Sequence, residues 1–146
     1  MKRAYVNEHL PSAQAAGTLY GMDPVVILAQ GALESGWGRS ELAREHNNFF
    51  GITGYGRPNA HWHGQWTELE EGGLRFRRYD SARQSFLDFG RLLRGSYPIA
   101  ASLSHYPDAF AREIAYSRYI CEANGDNREA YRKTLARLCR EIRALL

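Results

Sequence analysis

The stretch from Asp23 to Gly38, DPVVILAQGALESGWG, constrains this chain more than any other. Asp followed by Pro starts a helix: the carboxylate can cap free N–H groups, and Pro, which lacks one, suits the first helical position. From Val25 to Leu33 the residues are apolar on nearly every face. Such a helix has to be surrounded by other elements and cannot lie on a surface. Gly36 and Gly38 can take the left-handed conformations that stop it. The chain must therefore build a bundle around this segment, and Glu34 stands where the apolar run ends, close to Trp37.

The rest of the sequence supplies the surrounding elements. Leu10, Ala13, Ala16 and Leu19 recur at helical spacing in the segment from Val6 to Tyr20. A short helix follows over Glu41 to Glu45. The texture then changes to a stretch rich in Gly, aromatics and Thr, which predicts a small antiparallel β lobe over about 51–79. Within it, Trp66-Thr67-Glu68-Leu69 and Leu74-Arg75-Phe76-Arg77 read as a hairpin around Glu71-Gly72-Gly73. Ser81 caps a helix bearing Phe86, Phe89, Leu92 and Leu93, another helix covers about Pro107 to Tyr119, and a last one begins near Asn127. The 146 residues suffice for one domain with a buried core. The fold class is α+β, predominantly helical. Of Phe49 and Phe50, one is expected in the core.

Composition excludes several function classes. No stretch reaches the roughly 20 apolar residues of a membrane span, so no membrane insertion is expected. The opening residues lack the apolar run of a secretory leader. A net charge of +3 suits an anionic partner, but Arg128, Arg132, Arg137, Arg140 and Arg143 alternate with Glu and Leu as on a solvated amphipathic helix. That pattern argues against a nucleic-acid partner. His61-Trp62-His63 would put two imidazoles on one strand face, but no nearby Cys or Asp completes a metal set, so neither metal nor other cofactor is expected. Cys121 and Cys139 lack metal-type spacing. They read as two small core thiols, or as a disulfide if the protein works in an oxidising compartment.

Glu34 is the candidate for chemistry. The C-terminal end of a helix bears partial negative charge, and burial beside Trp37 and the apolar run disfavours a second one. Both effects favour a protonated carboxyl, which is what a general acid needs to protonate a leaving alcohol. Glycoside cleavage commonly pairs such an acid with a second carboxylate in a wetter place.

Four motifs in register, ALESGWG, NNFFGI, WTELEEGG and FRRYDS, resemble the family-73 glycoside hydrolases, over about Ser12 to Arg143. The resemblance implies peptidoglycan as substrate, cleavage after N-acetylglucosamine, and a lysozyme-like fold with a glycan groove between helices and β lobe. It places the catalytic acid on Glu34 and a second carboxylate on Glu68, with Glu70 in reserve. It also places a functional tyrosine on Tyr119, with Tyr116 competing. Here the chain departs from the family's Tyr-Ala-Thr-Asp pattern, reading Tyr119-Ile120-Cys121-Glu122 followed by a longer connection over 123–126. Tyr55, Trp62, Trp66 and Tyr79 are expected either to stack on sugar rings or to pack the β lobe onto the helices, with Trp37, Glu70 and Tyr116 as further substrate contacts. The alternatives on a related fold are a lytic transglycosylase or a muramidase, and outside enzymes a wall-binding module. With no leader read from the sequence, an antibacterial effector delivered to the periplasm or cell wall is expected, with a cognate immunity protein occluding the groove; a phage lysis enzyme and a subunit of a larger envelope structure are the alternatives.

Overall fold

A computed structural model describes residues 1–121 and 127–146. Glu122 and the longer connection over 123–126 lie outside them. In chain order the described elements are α1 (Lys2–Tyr20), α2 (Pro24–Ser35), α3 (Glu41–His46), β1 (Trp66–Glu68), β2 (Arg75–Arg77), α4 (Ala82–Ser96), α5 (Pro98–Ser102), α6 (Pro107–Ala115) and α7 (Arg128–Leu145).

Helix α2 is the axis, as its composition requires. Asp23 Oδ1 caps Val25 N at 2.9 Å, and Pro24 opens the helix. Val26, Ile27, Leu28 and Ala29 are fully enclosed. Gly36 ends the helix at φ 58°, its N–H donating to Ala32 O. Helices α1 and α7 pack on α2, α4 packs on α1, and α6 packs on α7. Ser81 and Asn127 cap α4 and α7 through Gln84 N and Ala130 N. The chain spans more helix than its periodicity gives: α1 starts at Lys2, and α5 falls in a segment with no sequence signal. Helix α6 stops at Ala115, short of Tyr119.

Phe49 and Phe50 both belong to the core, where one was expected. Phe50 stacks on Phe89 with ring centroids 4.2 Å apart, and Phe49 lies against His9 and Phe86. The β lobe has two three-residue antiparallel strands, with Thr67 opposite Phe76. The segment after the Phe pair docks on their edge: Gly54 N donates to Arg75 O, Arg77 N donates to Ile52 O, and Thr53 bridges Phe76. At Gly54 a Cβ would come within 2.9 Å of Trp66 Cβ, so only glycine allows this approach. Cys121 is exposed and Cys139 buried, and both are free thiols, which corrects the disulfide alternative. Burial pushes the Cys139 thiol up to about 12. No described helix is long and apolar enough to cross a membrane.

Candidate active site

Between the helices and the β lobe lies a cavity of about 530 Å³, and Glu34 lines it. Among the described residues that line it, Glu34 is the sole carboxylate. Its position follows from helix spacing. Gln30 and Glu34 are four residues apart, one above the other on the face of α2 that meets α7. Tyr131, on the first turn of α7, closes that contact. Its hydroxyl donates to Glu34 Oε1 at 2.7 Å and accepts from Gln30 Nε2. Burial, and then the negative charge of neighbouring groups including Glu34, holds the Tyr131 hydroxyl well above the ordinary tyrosine range, so it stays a donor. One carboxyl oxygen is thus held. The other, Oε2, lies on the side of Gly51, 4.0 Å from where a Cβ there would stand.

Tyr119 also lines the cavity. Its ring sits edge-on to Phe89 and Tyr97, at 6.5 and 5.6 Å. Burial, followed by the charge of Glu34, raises its hydroxyl well above the usual range, against a hydrogen bond from Gln30. Tyr97 is a third tyrosine of the same lining.

The opposite texture belongs to the loop and hairpin. Asn48, 1% exposed, folds NNFFGI into a turn. Its Oδ1 accepts from the N–H groups of Phe50, Gly51 and Ile52, while Nδ2 donates to the carbonyls of Ile52 and Arg77. Asn47 supplies the left-handed cap of α3 at φ 60°. That turn aims Gly51, Ile52, Thr53 and Tyr55 at the cavity. Beneath it, Asp88 of α4 is fully buried and accepts from Arg77 Nη1 at 2.8 Å, Tyr79 Oη at 2.5 Å, Asn59 Nδ2 at 3.0 Å and Arg91 Nε at 2.7 Å. Burial alone would raise this carboxyl. The hydrogen bonds from Tyr79 and Arg91 and the two guanidinium charges outweigh it, leaving Asp88 below the ordinary range.

Of the residues singled out from the sequence, Glu34, Tyr119 and Tyr55 line this cavity. The others lie elsewhere. Trp62, 2% exposed, is wedged under Arg77, whose guanidinium sits 3.9 Å over its ring. Tyr79, 3% exposed, points into Asp88. Neither has a face to offer a sugar, which corrects both assignments: they pack the lobe onto α4. Trp37 takes a positive φ of 60° and turns toward Tyr5 and Lys2, lining a separate cavity on the α1 side. Trp66 is exposed beneath Arg75 on the hairpin. Tyr116 is exposed and donates to Glu129. Glu68 is exposed on β1, its Oε2 accepting from Gly72 N at 3.2 Å, and Glu70 is exposed in the turn beyond. His61 bonds to Tyr20 and His63 pairs with Asp80; among the described residues no cluster could hold a metal.

Tyr131, Gln30 and Arg91 escaped the sequence reading. Tyr131 stands at helical spacing with Leu135, Leu138 and Ile142, where it looks like one more apolar position of the last helix. The available signal was the pair Gln30 and Glu34, polar residues four apart on one face of a helix that is apolar from Val25 to Ala29.

The family profile described as mannosyl-glycoprotein endo-beta-N-acetylglucosaminidase matches residues 10–144. The chain belongs to this glucosaminidase family. Relatives of the family member agree. It is 31% identical to the peptidoglycan hydrolase FlgJ of Pseudomonas aeruginosa over 94% of this chain, though it spans only 36% of that protein. The glycoside hydrolase domain of Salmonella typhimurium FlgJ superposes with a TM-score of 0.74 at 26% identity, covering 99% of this chain and 89% of that one. A type VI secretion system effector–immunity complex from Pseudomonas protegens shares the fold, with a TM-score of 0.75 at 19% identity over 99% and 92% of the chains.

Proposed function

We propose that this domain hydrolyses peptidoglycan glycan strands at the β-1,4 bond after N-acetylglucosamine, with Glu34 as proton donor. The observation that supports it is the Glu34 carboxyl itself, alone among the described cavity carboxylates, with Oε1 held by Tyr131 and Oε2 on the side of Gly51. A carboxyl fixed at the cavity wall by a hydroxyl donor suits an acid that must deliver its proton in one direction. Peptidoglycan is favoured over a mannosyl glycoprotein because the FlgJ relatives are named as peptidoglycan hydrolases.

With Glu34 the sole carboxylate among the described residues of the lining, the substrate's own 2-acetamido group is assigned the second function. Glu34 passes its proton to the bridging oxygen as the bond from C1 to that oxygen breaks. The acetamido carbonyl oxygen bonds to C1, giving a cyclic oxazolinium. Water then adds to C1, reopening the ring, and returns a proton to Glu34. This is one of the recognised exceptions to the two-carboxylate scheme. Glu68 then has a supporting role on the hairpin, and Tyr119, beside Glu34, borders the reacting sugar. Retention at C1, read as the β anomer appearing first in NMR of the released ends, is the expected course. Initial release of the α anomer would require a directly attacking water and a second carboxylate to activate it.

The setting is also proposed. We propose a delivered antibacterial hydrolase acting in the periplasm, with an immunity protein covering the cavity mouth; what supports this is the fold shared with a type VI secretion system effector–immunity complex from Pseudomonas protegens. Expression directed to the periplasm should lyse cells, and cytoplasmic expression should not. Equal tolerance of both would remove the effector reading while leaving the hydrolase one.

A further inference from the structure

Two arginines line the cavity that holds Glu34, and they are not equivalent. Arg77 is saturated. Its Nε donates to Thr53 O at 3.0 Å, Nη1 to Asp88 and Nη2 to Tyr55 O at 2.7 Å, and its side chain is 9% exposed. Arg91, one helical turn beyond Asp88 on α4, uses only its Nε, bonded to Asp88 Oδ1 at 2.7 Å. Its side chain is 34% exposed, and its two η nitrogens have no protein acceptor among the described residues. Asp88 does not need Arg91 to be neutralised, since Arg77, Tyr79 and Asn59 already approach both of its oxygens. The cluster of two guanidinium groups and one carboxylate leaves a net positive charge, and Arg91 is where it reaches the cavity.

A planar guanidinium anchored through Nε presents its remaining N–H donors in the fork that matches a carboxylate. We propose that Arg91 forms a carboxylate subsite that reads a free carboxylate of the stem peptide carried on the lactyl group of the neighbouring muramic sugar. This rests on the peptidoglycan reading above and adds to it a preference for strands whose stem peptides keep their charged carboxylates. In a peptide-bearing strand the lactyl carboxyl is tied up in amide linkage, so the free carboxylates there belong to the peptide, and converting them to amides removes the feature that Arg91 can tell apart.

The test compares kcat/KM of the full chain on two substrates: strands with intact stem peptides, and the same strands after their peptide carboxylates are converted to neutral amides. The wild type should prefer the charged strands by about tenfold, the scale of one hydrogen-bonded charge contact. The preference should shrink as salt rises. In Arg91→Gln the ratio of the two rates should fall to about one, and in Arg91→Lys it should be intermediate. A structural role for Arg91 would slow both substrates alike and leave the ratio where it was, which would overturn the proposal. Should Arg91→Gln fail to fold, the wild-type comparison and Arg91→Lys still decide it. A wild type that cleaves both strands equally sinks the subsite alone, whereas one that cleaves neither sinks the hydrolase reading and the subsite with it.

Discussion

The helical wall of the cavity and the loop-and-hairpin wall are fixed by different physics. On the helical side, Glu34, Gln30 and Tyr131 come from two long helices packed in a dry core, and each side chain is placed by helix spacing and apolar burial. On the other side, two three-residue strands supply little packing of their own. Their place is set by polar wiring: Asn48 inside the turn, and Asp88 gathering Arg77, Tyr79, Asn59 and Arg91. The helical wall therefore suits exact positioning of the acid, while the polar wall presents a surface for a long, hydrated substrate.

If that division holds, substitutions on the two walls should fail in different ways. Glu34→Gln should lower kcat by about a thousandfold, the scale of a lost general acid, with an unchanged melting temperature. Comparable loss of melting temperature would place Glu34 among structural residues.

Asp88→Asn should act on the opposite property. It leaves buried Arg77 without its counter-charge, a loss of about 3 kcal/mol, or a melting point lower by roughly 6–12 °C. The pH dependence has a definite sign. Asp88 is held below the ordinary carboxylate range, so its stabilisation is present above that range and fades as pH falls through the lowered value. Thermal melts of wild type and variant should converge in acid; a constant gap would contradict the ionised network.

Tyr131→Phe removes a hydrogen bond to Glu34 without opening a cavity. About tenfold loss of kcat is expected. The high-pH limb of kcat/KM should move upward, because that bond stabilises the ionised acid more than the protonated one. A fall in rate with an unmoved pH limb would mean that Tyr131 only packs.

Glu68→Gln should have the smallest effect, within about threefold, because the exposed hairpin carboxylate acts from outside the cavity lining. A loss matching that of Glu34→Gln would restore Glu68 as a second catalytic carboxylate and replace substrate assistance.

The sequence made the helical wall legible in part and the polar wall hardly at all. An all-round apolar helix with Asp-Pro before it and Gly after it has one stable placement, so α2 and the location of Glu34 at its end could be read directly. Tyr131 could not, since a tyrosine at core spacing looks the same whether its hydroxyl meets water or a carboxylate. Trp62 and Tyr79 misled for the opposite reason. Aromatics in a Gly-rich stretch fit sugar stacking and lobe packing equally well, and only Asp88 and Arg77, which the fold brings against these rings, separate the two. Asn48 reaches Arg77 twenty-nine residues on, and Asp88, to which Arg91 is anchored, gathers Asn59 from the same distance; local spacing holds no record of those partners.

The most direct measurement is the identity of the new reducing ends. Purified peptidoglycan is digested with the wild type and with Glu34→Gln, reduced with borohydride, and the sugar alcohols identified by mass spectrometry. Reduced N-acetylglucosamine from the wild type and none from the variant is the predicted result. Reduced muramic ends, anhydro-muramic ends, or equal digestion by Glu34→Gln would contradict it.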